Sequence, residues 1–169
     1  MNHTINNSKR VFILGAGSSI SHDSAFPSIN KFFAKAKEIG IDIKKNFPDL
    51  HDYIFNNFGI DVTSRKNEAN IETIFTNIEI DLERYQEIKL ESVRQQLLKL
   101  IKNALIELVN RCGNKEGNLH KFSDRLKDSD TVLTFNWDIL LDEILSKKIE
   151  QHRKENPIYF GEIQAGCRN

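Results

Sequence analysis

Hydrophobic and polar positions change their period several times along the chain, and each change predicts an element. Val11, Phe12, Ile13 and Leu14 form a continuous apolar run that ends at Gly15, the pattern of a strand buried in a parallel sheet. From residue 29 the period lengthens. Phe32, Phe33, Ala36 and Ile39 share one face of a helix over residues 29–39, with Ser28 as cap and Gly40 as stop. Pro48 and Asp49 open a short helical segment carrying Leu50, Tyr53, Ile54, Phe55 and Phe58, and Ile71, Ile74, Phe75, Ile78 and Leu82 then recur at helical spacing. Leu90, Val93, Leu97, Ile101, Ala104, Leu105 and Leu108 mark a long amphipathic helix over residues 87–112, whose stripe serves a core or a dimer contact. Cys112-Gly113-Asn114 stops it. A short helix over residues 119–126 leads to a β-branched, apolar strand over residues 131–135. Asp138 caps a last helix over residues 139–149, in which Leu140 with Ile144 and Leu141 with Leu145 face inward.

The order is strand, glycine loop, about five helices, strand, polar turn, helix. Two strands so far apart in sequence become neighbours in a parallel sheet only when the helices between them form an inserted layer. The expected class is therefore α/β, a parallel sheet with a large helical insertion over residues 29–127. A polar tail (residues 1–9) precedes one domain (residues 10–169), a length suited to a single core.

Composition narrows the partners. Lys plus Arg equals Asp plus Glu at 24 each, so no single-sign field draws nucleic acid or anionic lipid. Cys112 and Cys167 are the two cysteines, with no C-x-x-C pair, which disfavours a disulfide framework and a structural zinc site and fits a reducing cytoplasm. No stretch reaches the roughly 18–20 apolar residues of a membrane span. The most apolar helix, "LLKLIKNALIELV", is interrupted by Lys99, Lys102, Asn103 and Glu107, and the start lacks the apolar core of a signal peptide.

Two short motifs carry candidate chemistry. In "GAGSS", Gly15 and Gly17 at a strand end let the backbone approach a phosphate, the following turn offers N–H groups, and Ser18 and Ser19 add hydroxyls. The other reading is a steric one, a tight turn that needs glycine for its own sake. The third glycine of G-x-G-x-x-G is absent, with Ile20 in its place. Glu38, at the distance of a ribose-binding acid, falls in a helical pattern, and no P-loop lysine is present. A hydride-transfer enzyme and a P-loop NTPase are thereby disfavoured. In "TFNWD", Thr134, Asn136 and Asp138 stand at the carboxyl end of the second strand, where open α/β sheets bind ligands. Asp138 suits a helix cap. Asn136 offers a carboxamide that donates and accepts without titrating, able to orient a water or a ribose hydroxyl.

"FILGAGSSISHDSAFPS" followed by "LTFNWDILLDE" resembles the sirtuin-like family, in particular the bacterial sirtuin-like domains of antiphage defence, and "NIETIFTNIE" resembles an acidic helix of their helical layer. The likeness covers residues 11 to about 145 and rests on two ordered motifs. It implies a Rossmann-like fold that takes NAD as substrate without a metal and cleaves it to nicotinamide and ADP-ribose. Ala16, Gly17 and Ser18 would lie at the phosphates, within a loop from Gly15 to Ser19, and Asn136 at the nicotinamide ribose. Asp138 would order the turn or bind ribose, beside Thr134.

Three departures from the family qualify that expectation. The four-cysteine zinc module of protein-deacetylating sirtuins has no counterpart, which moves the expected activity from deacylation to NAD hydrolysis. Ala25-Phe26 replaces the glycine that usually precedes the proline. The histidine-bearing strand and adenosine half that follow in the family are missing by residue 169, so the chain reads as C-terminally truncated. His152 is at a plausible distance but sits in the polar helix end "KKIEQHRKEN", and His22 lies near the glycine loop. "NPIYFGEIQAGCRN" reads as the start of a third strand whose exposed sheet edge suits a homo-oligomer or a partner chain. The alternative to a hydrolase is a catalytically silent module that binds nucleotide or a protein partner, and a third possibility is an ordinary α/β protein with a glycine turn and a capped helix.

Overall fold

The computed structural model describes residues 9–64 and 69–155. Their order is β1 (Val11–Leu14), α1 (Ala16–His22), α2 (Phe32–Glu38), α3 (Ile43–Asn46), α4 (Pro48–Phe58), α5 (Ile71–Tyr85), α6 (Ile88–Cys112), α7 (Asn118–Ser123), β2 (Thr131–Thr134) and α8 (Leu140–Glu155). The class is mixed α/β. The two strands pair in parallel, Val11 opposite Thr131 and Leu14 opposite Thr134, and the inserted helices lie between them in sequence as the pattern predicts. The N-terminal tail and the "NPIYFGEIQAGCRN" segment fall outside the described residues.

The insertion holds seven helices rather than five. The additional two are short and polar. The first, α1, begins in the glycine loop itself, with Gly15 as its extended N-cap. The second, α3, is nucleated by Asp42, whose carboxylate accepts the Lys45 N–H at 3.0 Å. Helix α2 starts later than expected, at Phe32, because Ser28 accepts the Lys31 N–H through its backbone carbonyl (3.0 Å) and Ile29 O takes the Ile71 N–H (3.1 Å), binding the segment to the start of α5. Pro48 occupies the first turn of α4, and Gly59 closes that helix in the left-handed conformation at φ 64°. Asn70 caps α5, accepting the Thr73 N–H at 3.0 Å. Helix α8 continues past 149 to Glu155.

Helix α6, about 38 Å long at 1.5 Å per residue, joins two cores. Its first half packs on α4 and α5, placing Leu97 and Leu100 against Leu50, Ile54, Ile74 and Ile78 with no more than 1% exposure each. Its last turns put Leu108, Val109 and Cys112 beneath the sheet, with Phe26, Leu119, Leu140 and Ile144. Leu14 and Val132 reach this second core from the strands, and Phe12 meets Phe122 edge to face at 5.1 Å.

The expectation of a fully buried strand is corrected. Val11 and Ile13 are 63% and 68% exposed, and Leu133, Ile13's partner in β2, is 47% exposed. Helices cover one face of the sheet and leave the other, equally apolar, open to water, whereas an apolar run without alternation promised cover on both.

The entry to the sheet is held by charge. Arg10 donates to Asp130 twice, from Nε to Oδ1 at 2.9 Å and from Nη2 to Oδ2 at 2.5 Å, and adds a bond to Arg125 O. Those hydrogen bonds hold the Asp130 carboxyl at about 2, below its ordinary 3.8. A carboxylate depressed in the folded state adds stability that is whole above pH 3.8 and is lost as the pH falls toward 2. In urea titrations across that window Asp130→Asn is therefore expected to lose less stability than the parent chain; equal losses would remove the bidentate pair from acid sensitivity. Leu100→Ala, opening a cavity in the first core, is expected to cost about 2–5 kcal/mol by the same measurement.

Candidate functional site

Parallel pairing sets the carboxyl ends of β1 and β2 side by side, so the two motifs meet. Phe135 N donates to Leu14 O at 3.0 Å, extending the ladder one residue past β2 and fixing where the chain turns toward Asn136. Asn136 N donates to Thr134 Oγ1 at 3.2 Å.

A polar relay spans the junction. Ser18 Oγ donates to Gly15 O at 2.8 Å, and the buried Ser19 Oγ donates to both oxygens of Asp138 at 2.9 and 3.1 Å. Each hydroxyl has one proton, so both oxygens are left to accept, and Asn136 Nδ2 donates to Ser18 at 3.1 Å and Ser19 at 2.9 Å. That requirement fixes which way the carboxamide faces. Its other atom, Oδ1, is buried and has no hydrogen-bond partner. Asp138 Oδ1 also accepts the N–H of Leu140, the first residue of α8, at 3.1 Å, so the capping role and the relay are held by the same carboxylate.

Beside the relay lies a cavity of about 90 Å³. Ser19, Asn136 and Asp138 supply polar groups to its wall, Ala16, Phe26, Phe32 and Ile71 apolar ones, and Glu72, Phe135 and Trp137 are also among the lining residues. Pockets that enclose a drug-sized ligand run to about 300–1,000 Å³. This one is several times smaller.

The glycines are not explained by packing. Gly15 has an ordinary extended backbone at φ −127°, Gly17 is helical, and a Cβ at either position would meet no atom within 4 Å. The steric reading of "GAGSS" is thus removed. What remains is open space over a backbone whose Ala16 and Gly17 N–H groups, in the first turn of α1, have no intrahelical acceptor. Glycine at a helical position costs about 0.5–1 kcal/mol relative to alanine.

The histidines lie elsewhere. His152 is exposed on α8 and lines a separate hollow with Asp124 and Lys148, so the structure does not bring it to Asn136. His22, at the far end of α1, lies against His120 with ring centroids 5.2 Å apart and planes tilted by 36°, and its Nδ1 accepts the Leu119 N–H at 3.3 Å. Burial pushes its pKa down. Sequence reasoning missed Glu72, Phe135 and Trp137 as lining residues. The signal for Glu72 was its place in the first turn of α5, where the helix dipole favours an acid. No cluster of three or more histidine, cysteine or acidic side chains suited to a metal is found among the described residues.

Comparison with protein-family models, with curated proteins and with solved structures finds no match to this chain.

Removing the relay's central hydroxyl tests its contribution. Ser19→Ala leaves an Asn136 donor and the Asp138 carboxylate short of a partner and is expected to cost about 1–3 kcal/mol in urea unfolding. Ser18→Ala, at a half-buried position, is expected to cost less; equal effects would place the anchoring outside the relay.

Proposed function

We propose that the chain hydrolyses NAD to nicotinamide and ADP-ribose through a sirtuin-like site in a Rossmann-like fold. The observation that carries this is the buried, unpartnered Oδ1 of Asn136, a residue that lines the cavity beside an unobstructed glycine loop. A buried amide oxygen without a donor loses about 1–3 kcal/mol, so a ligand hydroxyl or a held water is the natural complement.

In this reading the first turn of α1 holds the pyrophosphate through the Ala16 and Gly17 N–H groups. The nicotinamide ribose lies at Asn136, and Asp138 keeps Asn136 in register through Ser19. Cleavage of the ribose–nicotinamide bond builds positive charge at the ribose anomeric carbon. Asn136 Oδ1 accepts a hydrogen bond from the attacking water or an adjacent ribose hydroxyl and aligns it. The water oxygen bonds to the anomeric carbon, the C–N bonding pair passes to the ring nitrogen, and the water's proton leaves to solvent. Nicotinamide departs neutral and needs no acid. The resemblance to the defence-type domains makes NAD depletion during phage infection the setting in which such turnover would act.

A second reading, a silent nucleotide-responsive interaction module, is favoured by the open apolar face of the sheet at Val11, Ile13 and Leu133. One pair of variants separates the two. Asn136→Ala is expected to reduce NAD cleavage about a hundredfold or more while ADP-ribose still raises the melting temperature. Gly17→Ala is expected to gain about 0.5–1 kcal/mol of stability and to lose the ADP-ribose response. Binding of ADP-ribose without any NAD turnover by the parent chain would favour the module, and no response to either nucleotide would end both readings.

A further inference from the structure

A second cavity, of about 470 Å³, lies at the other end of β1, where Arg10 stands about 16 Å along the strand from Gly15 at a rise of about 3.3 Å per residue. Its size suits a small organic molecule, and a bare ion would leave most of it unfilled. Arg10, Lys121 and Arg125 line it and no carboxylate does, in a chain whose charges balance overall. Phe12, Phe122 and Leu126 give it an apolar wall, and Asn118 is also at the lining.

The three cations are not alike. Arg10 is fixed in place: Asp130 accepts from Nε and Nη2, Arg125 O accepts from Nη2 as well, and the guanidinium carbon stands 5.1 Å from the centre of the Phe12 ring. That leaves the two Nη1 protons without an acceptor among the described residues. The side chains of Lys121, near the end of α7, and Arg125, just beyond it, have no hydrogen-bond or ion-pair partner among the described residues. Asp130 balances the charge of Arg10, so the surplus at the cavity is the two unpaired cations.

We propose that this cavity binds a nucleoside monophosphate, with the phosphate between Lys121, Arg125 and the Nη1 edge of Arg10 and the base against Phe12 and Phe122. A phosphomonoester brings close to two negative charges at neutral pH and three strong acceptor oxygens, which matches two unpaired cations and one guanidinium edge. A carboxylate brings one charge and two oxygens. Phe12 and Phe122 are each half-buried and meet edge to face, so aromatic surface remains at the wall for a planar base, whatever its identity. Asn118 donates from Nδ2 to Ser21 O at 2.9 Å, which leaves its Oδ1 to accept from a sugar hydroxyl. None of these residues lines the cavity at the strand ends, so the site stands apart from the hydrolase reading.

The test is an NMR titration of the full chain with AMP, adenosine and inorganic phosphate, following the amide resonances of Phe12, Lys121 and Phe122. AMP is expected to shift them and to bind about tenfold or more tightly than adenosine or phosphate alone. In the double variant Lys121→Gln with Arg125→Gln, both at exposed positions, AMP affinity is expected to fall about tenfold or more while adenosine affinity stays within about twofold. Lys121→Arg alone keeps the charge and is expected to hold AMP affinity within about threefold, and an unchanged urea midpoint shows each variant folded. Gly17→Ala is expected to leave AMP binding as it was. Equal binding of AMP and adenosine, an unchanged affinity in the double variant, or AMP shifts confined to the glycine loop and lost in Gly17→Ala would each overturn the proposal. So would about tenfold tighter binding of a 5′-phosphorylated oligonucleotide or a phosphotyrosine peptide than of AMP, because the cavity would then serve a macromolecule.

Discussion

Pairing β1 with β2 is the constraint on which the molecule turns. It closes a loop running from residue 15 to residue 130, and two four-residue strands cannot offset that closure by themselves. The helices must do so. Helix α6 is the means, since one rigid element anchors the helical layer through Leu97 and Leu100 and the underside of the sheet through Leu108 and Cys112. The inserted layer is therefore not an appendage to the corner where the two strand ends meet. It is what brings the two strand ends within hydrogen-bonding distance of each other.

Everything at the site follows from that closure. Ser19 and Asp138 are 119 positions apart in sequence and share hydrogen bonds, and Glu72 enters from between them on a third element. The open sheet face is the other side of the same economy, with the helices that build the site committed to one face of β1 and β2 and, among the described residues, the edges of the two-stranded sheet unpaired. Such a face is the usual seat of further strands, helices or a partner surface.

Much of this was legible in the residues. The long stripes of α5 and α6 and the apolar runs of both strands identify themselves by period, and the two polar motifs stand at strand ends as their neighbours require. Helix α1 was not legible, because "AGSSISH" has only Ile20 as a large apolar residue and its helical state depends on Ser19 being buried against Asp138. The exposure of Val11 and Ile13 was hidden for the opposite reason. An apolar residue records what it tolerates, and only the packing shows which faces are covered. Glu72 and Trp137 reach the cavity through contacts that no local spacing encodes, and the distance of His152 from it is set by the straight run of α8.

The relay at the strand ends has a direction. Asn136 gives its amide protons to the serine hydroxyls, and Ser19 passes its own proton toward the negative charge of Asp138. A hydroxyl drawn toward an anion is a better acceptor, and an amide whose N–H groups are drawn toward such hydroxyls shifts electron density onto its oxygen. The carboxylate thus polarises Asn136 Oδ1 through two hydrogen bonds without touching it. The one atom of the relay left without a partner is the buried oxygen on which that polarisation accumulates, and it is a more basic acceptor than a solvated asparagine presents.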